Sequence, residues 1–143
     1  MKELQKYNRA FYDLMSEQES YARKNGINGK KLQLLLWLYR LPKGMFQQDL
    51  AEKTFSTKQV VNAAIKKWKE QGYVEFQADQ SDKRAKRVLL TKAGRNYAAS
   101  IIDTLDQAEI SAFERLNKDE QAQLAALVAK YAQALITELE SRE

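Results

Sequence analysis

Between residues 82 and 87 the chain reads Asp82-Lys83-Arg84-Ala85-Lys86-Arg87, four bases in five residues behind one carboxylate. Cations so crowded repel one another unless a polyanion neutralises them, and phosphate suits both guanidinium and ammonium groups. Asp82 can hold Arg84 or Arg87 in a paired salt bridge. On a protruding loop, an Arg at the tip fits the narrow, negative minor groove of A·T-rich DNA. Upstream, Thr57, Lys58, Gln59, Asn62, Ala63 and Lys66 share one side of a segment with helical spacing. In a major groove, Asn and Gln can pair with adenine, Thr and Ala methyls can touch the thymine methyl, and Lys can reach guanine or phosphate. The same residue types also make an ordinary solvated helix face. It is the basic run downstream that favours nucleic acid.

Other chemistry is narrowed by absence. Among 143 residues there is no Cys and no His. Thiolate or imidazole catalysis, disulfides and the usual ligand sets for zinc, copper and haem are therefore excluded, and no metal or cofactor is expected. The carboxylate pairs Glu138/Glu140 and Asp103/Asp106 could do acid-base work in principle. They lie on polar helix faces with no glycine-rich loop beside them, so solvation is their expected role and the chain is not expected to be an enzyme. The net charge of +5 is unevenly placed. Residues 58–92 carry nine bases and four acids, whereas residues 93–143 carry five bases and nine acids. No targeting segment is evident, and the longest apolar run, beginning at Leu34, is less than half of the roughly 20 residues of a membrane helix. A cytoplasmic protein that does not enter membranes is the expectation.

Helix breakers divide the chain at Asn25–Gly29, Leu41–Gly44 and Gln71-Gly72, with a polar turn at Asp79–Asp82. Leu4, Tyr7, Phe11, Leu14/Met15 and Tyr21/Ala22 predict an amphipathic helix over about Lys2 to Lys24. Lys30 to Arg40 is apolar nearly all round and reads as a central core helix. A short helix follows over Gln47 to Lys53. Ser56-Thr57-Lys58-Gln59 has the form of a capping box, opening a helix that ends at Gly72 and buries Val60, Val61, Ala64, Ile65 and Trp68. Tyr73–Phe76 and Arg87–Leu90 alternate and read as a hairpin with a long basic tip. Thr91 caps a helix over about Lys92 to Leu116, and Asn117 or Lys118 opens the last one, with Leu124, Leu127/Val128, Tyr131, Leu135 and Leu139 in a stripe.

Two short helices, a tight turn and a basic hairpin make a winged helix-turn-helix pattern. The run Asp82, Arg84, Arg87, followed by Leu90-Thr91 and Gly94, resembles the DxRxxR wing signature and LTxxG sequel of MarR-type transcriptional regulators. The similarity extends through Asp49-Leu50-Ala51-Glu52, Val60-Val61-Asn62, Ile65-Lys66-Lys67 and Gln71-Gly72-Tyr73-Val74, and the order of helices matches over the whole chain. The resemblance implies a mainly α fold: a winged helix-turn-helix core at residues 30–92 within a single domain at 1–143, and dimerisation helices at 1–24 and 93–143. It further implies that Arg84 enters the minor groove, that Asp82 and Arg87 brace the wing, and that Ser56 to Lys66 line the major groove. Lys83 and Lys86 join Arg84 and Arg87 as wing contacts. One departure stands out. The helix-turn-helix turn usually carries Gly, and here it reads Thr54-Phe55-Ser56, so either the turn has a different conformation or Phe55 tucks into the core.

An apolar stripe on a terminal helix also calls for a partner surface, and a two-fold homodimer is the commonest answer. Such a dimer would present two recognition helices about 34 Å apart to a pseudo-palindromic duplex. The expected function is therefore a sequence-specific regulator of transcription on double-stranded DNA, a repressor. Phe11, Tyr12, Met15, Trp37 and Tyr39 are candidate contacts for a small aromatic or anionic ligand that relieves binding, as the resemblance implies, although core packing explains the same residues. The competing reading is a non-enzymatic helical module whose basic wing meets an acidic protein or membrane surface.

Overall fold

A computed structural model describes residues 1–143. In chain order the elements are α1 (Lys2–Lys24), α2 (Gly29–Arg40), α3 (Gln47–Thr54), α4 (Lys58–Glu70), β1 (Val74–Ala78), β2 (Lys86–Leu90), α5 (Lys92–Phe113) and α6 (Lys118–Glu140). This is the mainly helical architecture with a two-stranded wing that the sequence predicts. Two compact units are present, Met1–Asp103 and Thr104–Glu143, and the boundary falls inside α5 rather than ahead of it. The reason is burial. Gly94, Ala98, Ile101 and Ile102 in the first half of α5 are buried, while its second half buries none of its residues.

Local signals set the ends of the elements. Asn28 caps α2, its Oδ1 accepting from the Lys31 amide at 2.8 Å, and the Glu19 carboxylate accepts from the Gly29 amide at 2.6 Å. A carboxylate there complements the positive end of the helix dipole. At the end of α4, Gly72 has φ +79°. The Tyr73 amide donates to the Trp68 carbonyl at 2.8 Å and the Gly72 amide to the Lys69 carbonyl at 3.0 Å, the paired bonds of a left-handed helix terminus. Thr91 Oγ1 accepts from the Gly94 amide at 3.0 Å and donates to the Gly72 carbonyl at 2.6 Å, so one hydroxyl opens α5 and ties it to the end of α4. The capping box belongs to α6, where Asn117 and Glu120 each accept from the other's amide at 2.9 Å. It does not belong to Ser56 and Gln59. Thr57 is the N-cap of α4, accepting from the Val60 amide at 3.2 Å, one residue later than the sequence pattern places it.

In the first unit, Leu34, Leu35 and Leu38 of α2, Leu50 of α3, Val61 and Ile65 of α4, Val88 of β2 and Ile102 of α5 are fully buried. Each such side chain stabilises the fold by about 1.5–3 kcal/mol relative to exposure. The sequence assignment of α4 is corrected at one place: Val61, Ala64, Ile65 and Trp68 face inward, but Val60 is 43% exposed. The core face of a helix this short spans little more than 100°. Val60 lies one position outside it.

β1 and β2 pair antiparallel from Val74 with Leu90 to Ala78 with Lys86. Met45 adds a bridge to the second strand, exchanging backbone bonds with Val88 at 2.9 and 2.7 Å. The wing is thereby pinned to the segment that leads into α3. In α6 none of the residues is buried within the chain, and Leu124, Leu127, Val128, Leu135, Ile136 and Leu139 are all exposed. Leu4, Phe11, Leu14 and Met15 of α1 are likewise exposed. No helix is long and apolar enough to cross a membrane.

Gly94 has a steric reason to be glycine. A Cβ built on it would stand 1.9 Å from the Tyr73 carbonyl oxygen. Gly94→Ala must push α5 off the end of the wing, and urea denaturation should show a loss of about 1–3 kcal/mol, the usual cost of forced overpacking. An unchanged midpoint would mean that this close approach is not rigid.

Candidate nucleic-acid interface

The turn between α3 and α4 decides how the second helix is presented. Phe55 takes up the left-handed conformation (φ 52°, ψ 41°) that glycine favours, at a cost of about 1–2 kcal/mol for a residue with a Cβ. Neither arrangement expected from the sequence is found: the turn keeps the left-handed shape that glycine favours, and Phe55, 93% exposed, stays out of the core. Neighbouring bonds hold the strained backbone. The Ser56 amide donates to the Ala51 carbonyl at 2.9 Å, and Lys30 Nζ donates to the carbonyls of Thr54 at 2.7 Å and Phe55 at 3.4 Å. Buried Thr54 donates its hydroxyl to the Leu50 carbonyl at 2.7 Å and lies 2.7 Å from Ser56 Oγ. Ser56 is thus tied inward, while Thr57 is exposed with its hydroxyl occupied by the cap.

From that start α4 runs with Lys58, Gln59, Asn62, Ala63 and Lys66 all exposed, as its periodicity predicts, and with Val60 beside them. There is no acid in the first turn, so α4 itself supplies no charge to compensate the positive end of its dipole. That end and Lys58 together attract anions.

In the wing, one arginine is structural and one is presented. Arg87 Nε donates to Asp79 Oδ1 at 3.0 Å, its Nη1 reaches the Gly44 carbonyl at 3.4 Å, and its guanidinium lies 4.5 Å from the centre of the Phe46 ring. The partner of Arg87 is therefore Asp79 and not Asp82. Asp82 instead accepts from the Arg84 amide at 3.0 Å, with Arg84 Nε at 3.8 Å, which shapes the tip. The Asp79 carboxylate also accepts from the amides of Ser81 and Asp82 at 3.1 Å and from the Ser81 hydroxyl. Bonds from the Ser81 hydroxyl and from Arg87 hold the Asp79 carboxyl at about 2, below its usual 3.8. Arg84 ends the loop 96% exposed, and Lys83 and Lys86 are exposed around it.

Asp79, Phe46, Gly44 and Lys30 are the positions that sequence reasoning did not assign. Asp79 carried the same signal as Asp82, an acid near the basic run, and only the loop's path tells them apart. Phe46 and Lys30 gave no local signal, because their partners lie 41 and 24 residues away in the chain.

The residues considered for a small ligand are distributed between two helices. Phe11 sits 6.0 Å from both Tyr7 and Tyr12 on α1, and Tyr12 and Met15 are exposed. On α2, Trp37 lies 5.8 Å below the Lys53 ammonium, and Tyr39 donates to Asp103 at 2.8 Å beneath the Arg95 guanidinium. Asp103 is thereby a hydrogen-bond partner for Tyr39, and Glu138 pairs with Arg142 at 2.5 Å.

Comparison with known proteins agrees with this geometry. Residues 25–85 match the model of the MarR family. YwhA of Bacillus subtilis, described as an uncharacterized HTH-type transcriptional regulator, is 27% identical over 107 residues, 75% of this chain and 76% of that one. A MarR family regulator from Neisseria meningitidis superposes with a TM-score of 0.81 over the whole of both chains at 20% identity. MepR of Staphylococcus aureus, solved as a complex with DNA, superposes at 0.72 over 90% of this chain and 97% of that one, with 21% identity. At these identities the structural likeness is one of fold. Residues 25–85 are thus similar to the MarR family, and the chain as a whole shares the fold of the solved regulator of that family.

Proposed function

We propose that the protein is a sequence-specific regulator of transcription, a cytoplasmic repressor that binds a pseudo-palindromic site on double-stranded DNA as a homodimer. The observation that carries this reading is the pairing of two surfaces on one lobe. The polar face of α4 opens with no acid in its first turn, and the wing beside it is braced from within by Asp79 and Arg87 so that Arg84 is presented 96% exposed. In this arrangement Lys58, Gln59, Asn62, Ala63 and Lys66 face base edges and phosphates of the major groove. Arg84 enters the adjacent minor groove, with Lys83 and Lys86 on the flanking phosphates. The solution of MepR with DNA, in the same fold, supports it. α1 and α6 each carry exposed apolar residues that a second copy could cover, and a two-fold dimer would set the recognition helices about one turn, roughly 34 Å, apart. Relief by a small organic ligand is part of the proposal, with Phe11, Tyr12 and Met15 the more available of its candidate contacts.

Selection of genomic fragments with the full-length protein should recover a palindromic site preferred over random duplex by at least about a thousandfold. Equal affinity for all sequences would instead favour a general polyanion-binding module. On the selected site, Arg84→Ala should weaken binding about tenfold and flatten its preference for a narrow minor groove. Asn62→Ala should relax discrimination at one base pair by about 1–3 kcal/mol.

The brace gives a pH test. The Asp79 carboxyl titrates near 2 when folded and ordinarily at 3.8, so the unfolded chain takes up its proton first as pH falls. Its stabilising contribution is complete above the ordinary value and is lost as pH falls through the folded value. The stability gap between wild type and Asp79→Asn should therefore be flat above about pH 5 and close between pH 4 and 2. A gap independent of pH would rule out the ion pair as its source.

A further inference from the structure

Two large apolar side chains stand in the open on the part of the lobe that ought to be most polar. Val60 is 43% exposed on the outward side of α4. Ala63 lies three residues after it, so the Val side chain and the Ala methyl form a strip along one helix face, with the exposed Thr57 cap just ahead of the helix. Phe55 is more exposed still and stands two residues ahead of the Thr57 cap. Its aromatic ring buries little within the chain, and its backbone conformation is one that glycine adopts without strain. Folding alone gives no reason for Phe at this position. The turn nevertheless fixes where the ring begins, because Lys30 and the Ser56 amide hold its backbone.

The surroundings identify what such a strip would meet. Lys58 borders Phe55 in a shallow cleft with Gln48, Ala51, Glu52 and Ser56, and Gln59, Asn62 and Lys66 surround Val60 in sequence on the exposed face. A basic, amide-rich surface at the N-terminal end of a recognition helix faces the edges of base pairs. Among the groups exposed there, the apolar one is the 5-methyl of thymine. We infer that Val60 and Phe55 read thymine 5-methyl groups, Val60 within the groove and Phe55 at the outer end of the half-site. Part of the sequence preference is then carried by apolar contact as well as by hydrogen bonds. This rests on the DNA-binding reading and deepens it, naming the base feature recognised.

Deoxyuridine tests the inference, since it removes the methyl and keeps the hydrogen-bonding edge of thymine. In the duplex recovered by genomic selection, each thymine is replaced in turn, and affinities are measured for the full-length wild type, Val60→Ala and Phe55→Ala. Wild type should lose about fourfold at discrete thymines in each half-site, the value of one buried methyl. Val60→Ala should be indifferent at one of these positions and Phe55→Ala at another. Both sites are exposed, so both variants should melt with the wild type, and Phe55→Gly should melt higher. Wild-type indifference to deoxyuridine, or full wild-type sensitivity in both variants, would overturn the inference while leaving sequence-specific binding intact. Sensitivity lost in one variant alone would confine the readout to that residue and overturn it for the other. If wild type shows no preference for the selected duplex over random DNA, the DNA-binding reading fails and this inference with it.

Discussion

The presentation of the basic wing depends on where one guanidinium is held. Arg87 is held by a carboxylate from the same loop and joins the wing to the helix-turn-helix through two further contacts, a carbonyl from the turn before α3 and the face of Phe46. Guanidinium suits this place because its planar fork can donate in several directions while stacking on an aromatic ring. The Met45–Val88 bridge lies beside it, and backbone and side chain therefore fix the same junction. With that junction set, the tip can hold Lys83, Arg84 and Lys86 together despite their mutual repulsion. Asp79 supplies the opposing charge from inside the loop, and its bonds to the Ser81 and Asp82 amides keep the loop closed.

Polar and apolar positions divide the labour across the lobe. The residues that make α4 a stable helix face inward, and those that could meet a nucleic acid face outward with no acid among them before Glu70. Strain is concentrated at Phe55, at the entrance to that helix, and is carried by hydrogen bonds from neighbouring residues. Backbone strain at such an entrance is found where the surrounding structure over-determines it, and Lys30, Thr54 and Ala51 provide that determination here.

The order and lengths of the elements were legible because their boundaries rest on local chemistry: Gly72 for the end of α4, Thr91 for the start of α5, and turn residues at Asn25–Gly29. Where the reading slipped, two neighbouring residues offered the same chemistry. Ser56 and Thr57 can each cap a helix, and the left-handed residue ahead of them chooses the second. Asp79 and Asp82 can each pair with an arginine, and the path of the loop brings the first to Arg87. Val60 and Val61 are equally apolar, and the core reaches only one. The Phe46 and Lys30 contacts were invisible, since nothing local marks a ring or an ammonium whose partner is brought up by the tertiary fold. The exposed face of α4 and the basic wing tip, by contrast, were readable from spacing and charge.

The brace and the turn also bear on how binding would respond to ionic strength. A cation displaces condensed counterions from a duplex only if its charge reaches the phosphates, and each one that does adds about 0.9 to the steepness of the logarithmic salt dependence. Arg87 and Lys30 are committed to partners within the chain. On the proposed reading neither would add to the steepness, which would then fall short of what the basic character of residues 30–92 implies. Two of the cations in that region serve as internal fastenings, and a count of lysines and arginines overstates the counterions that the proposed binding would release from a duplex.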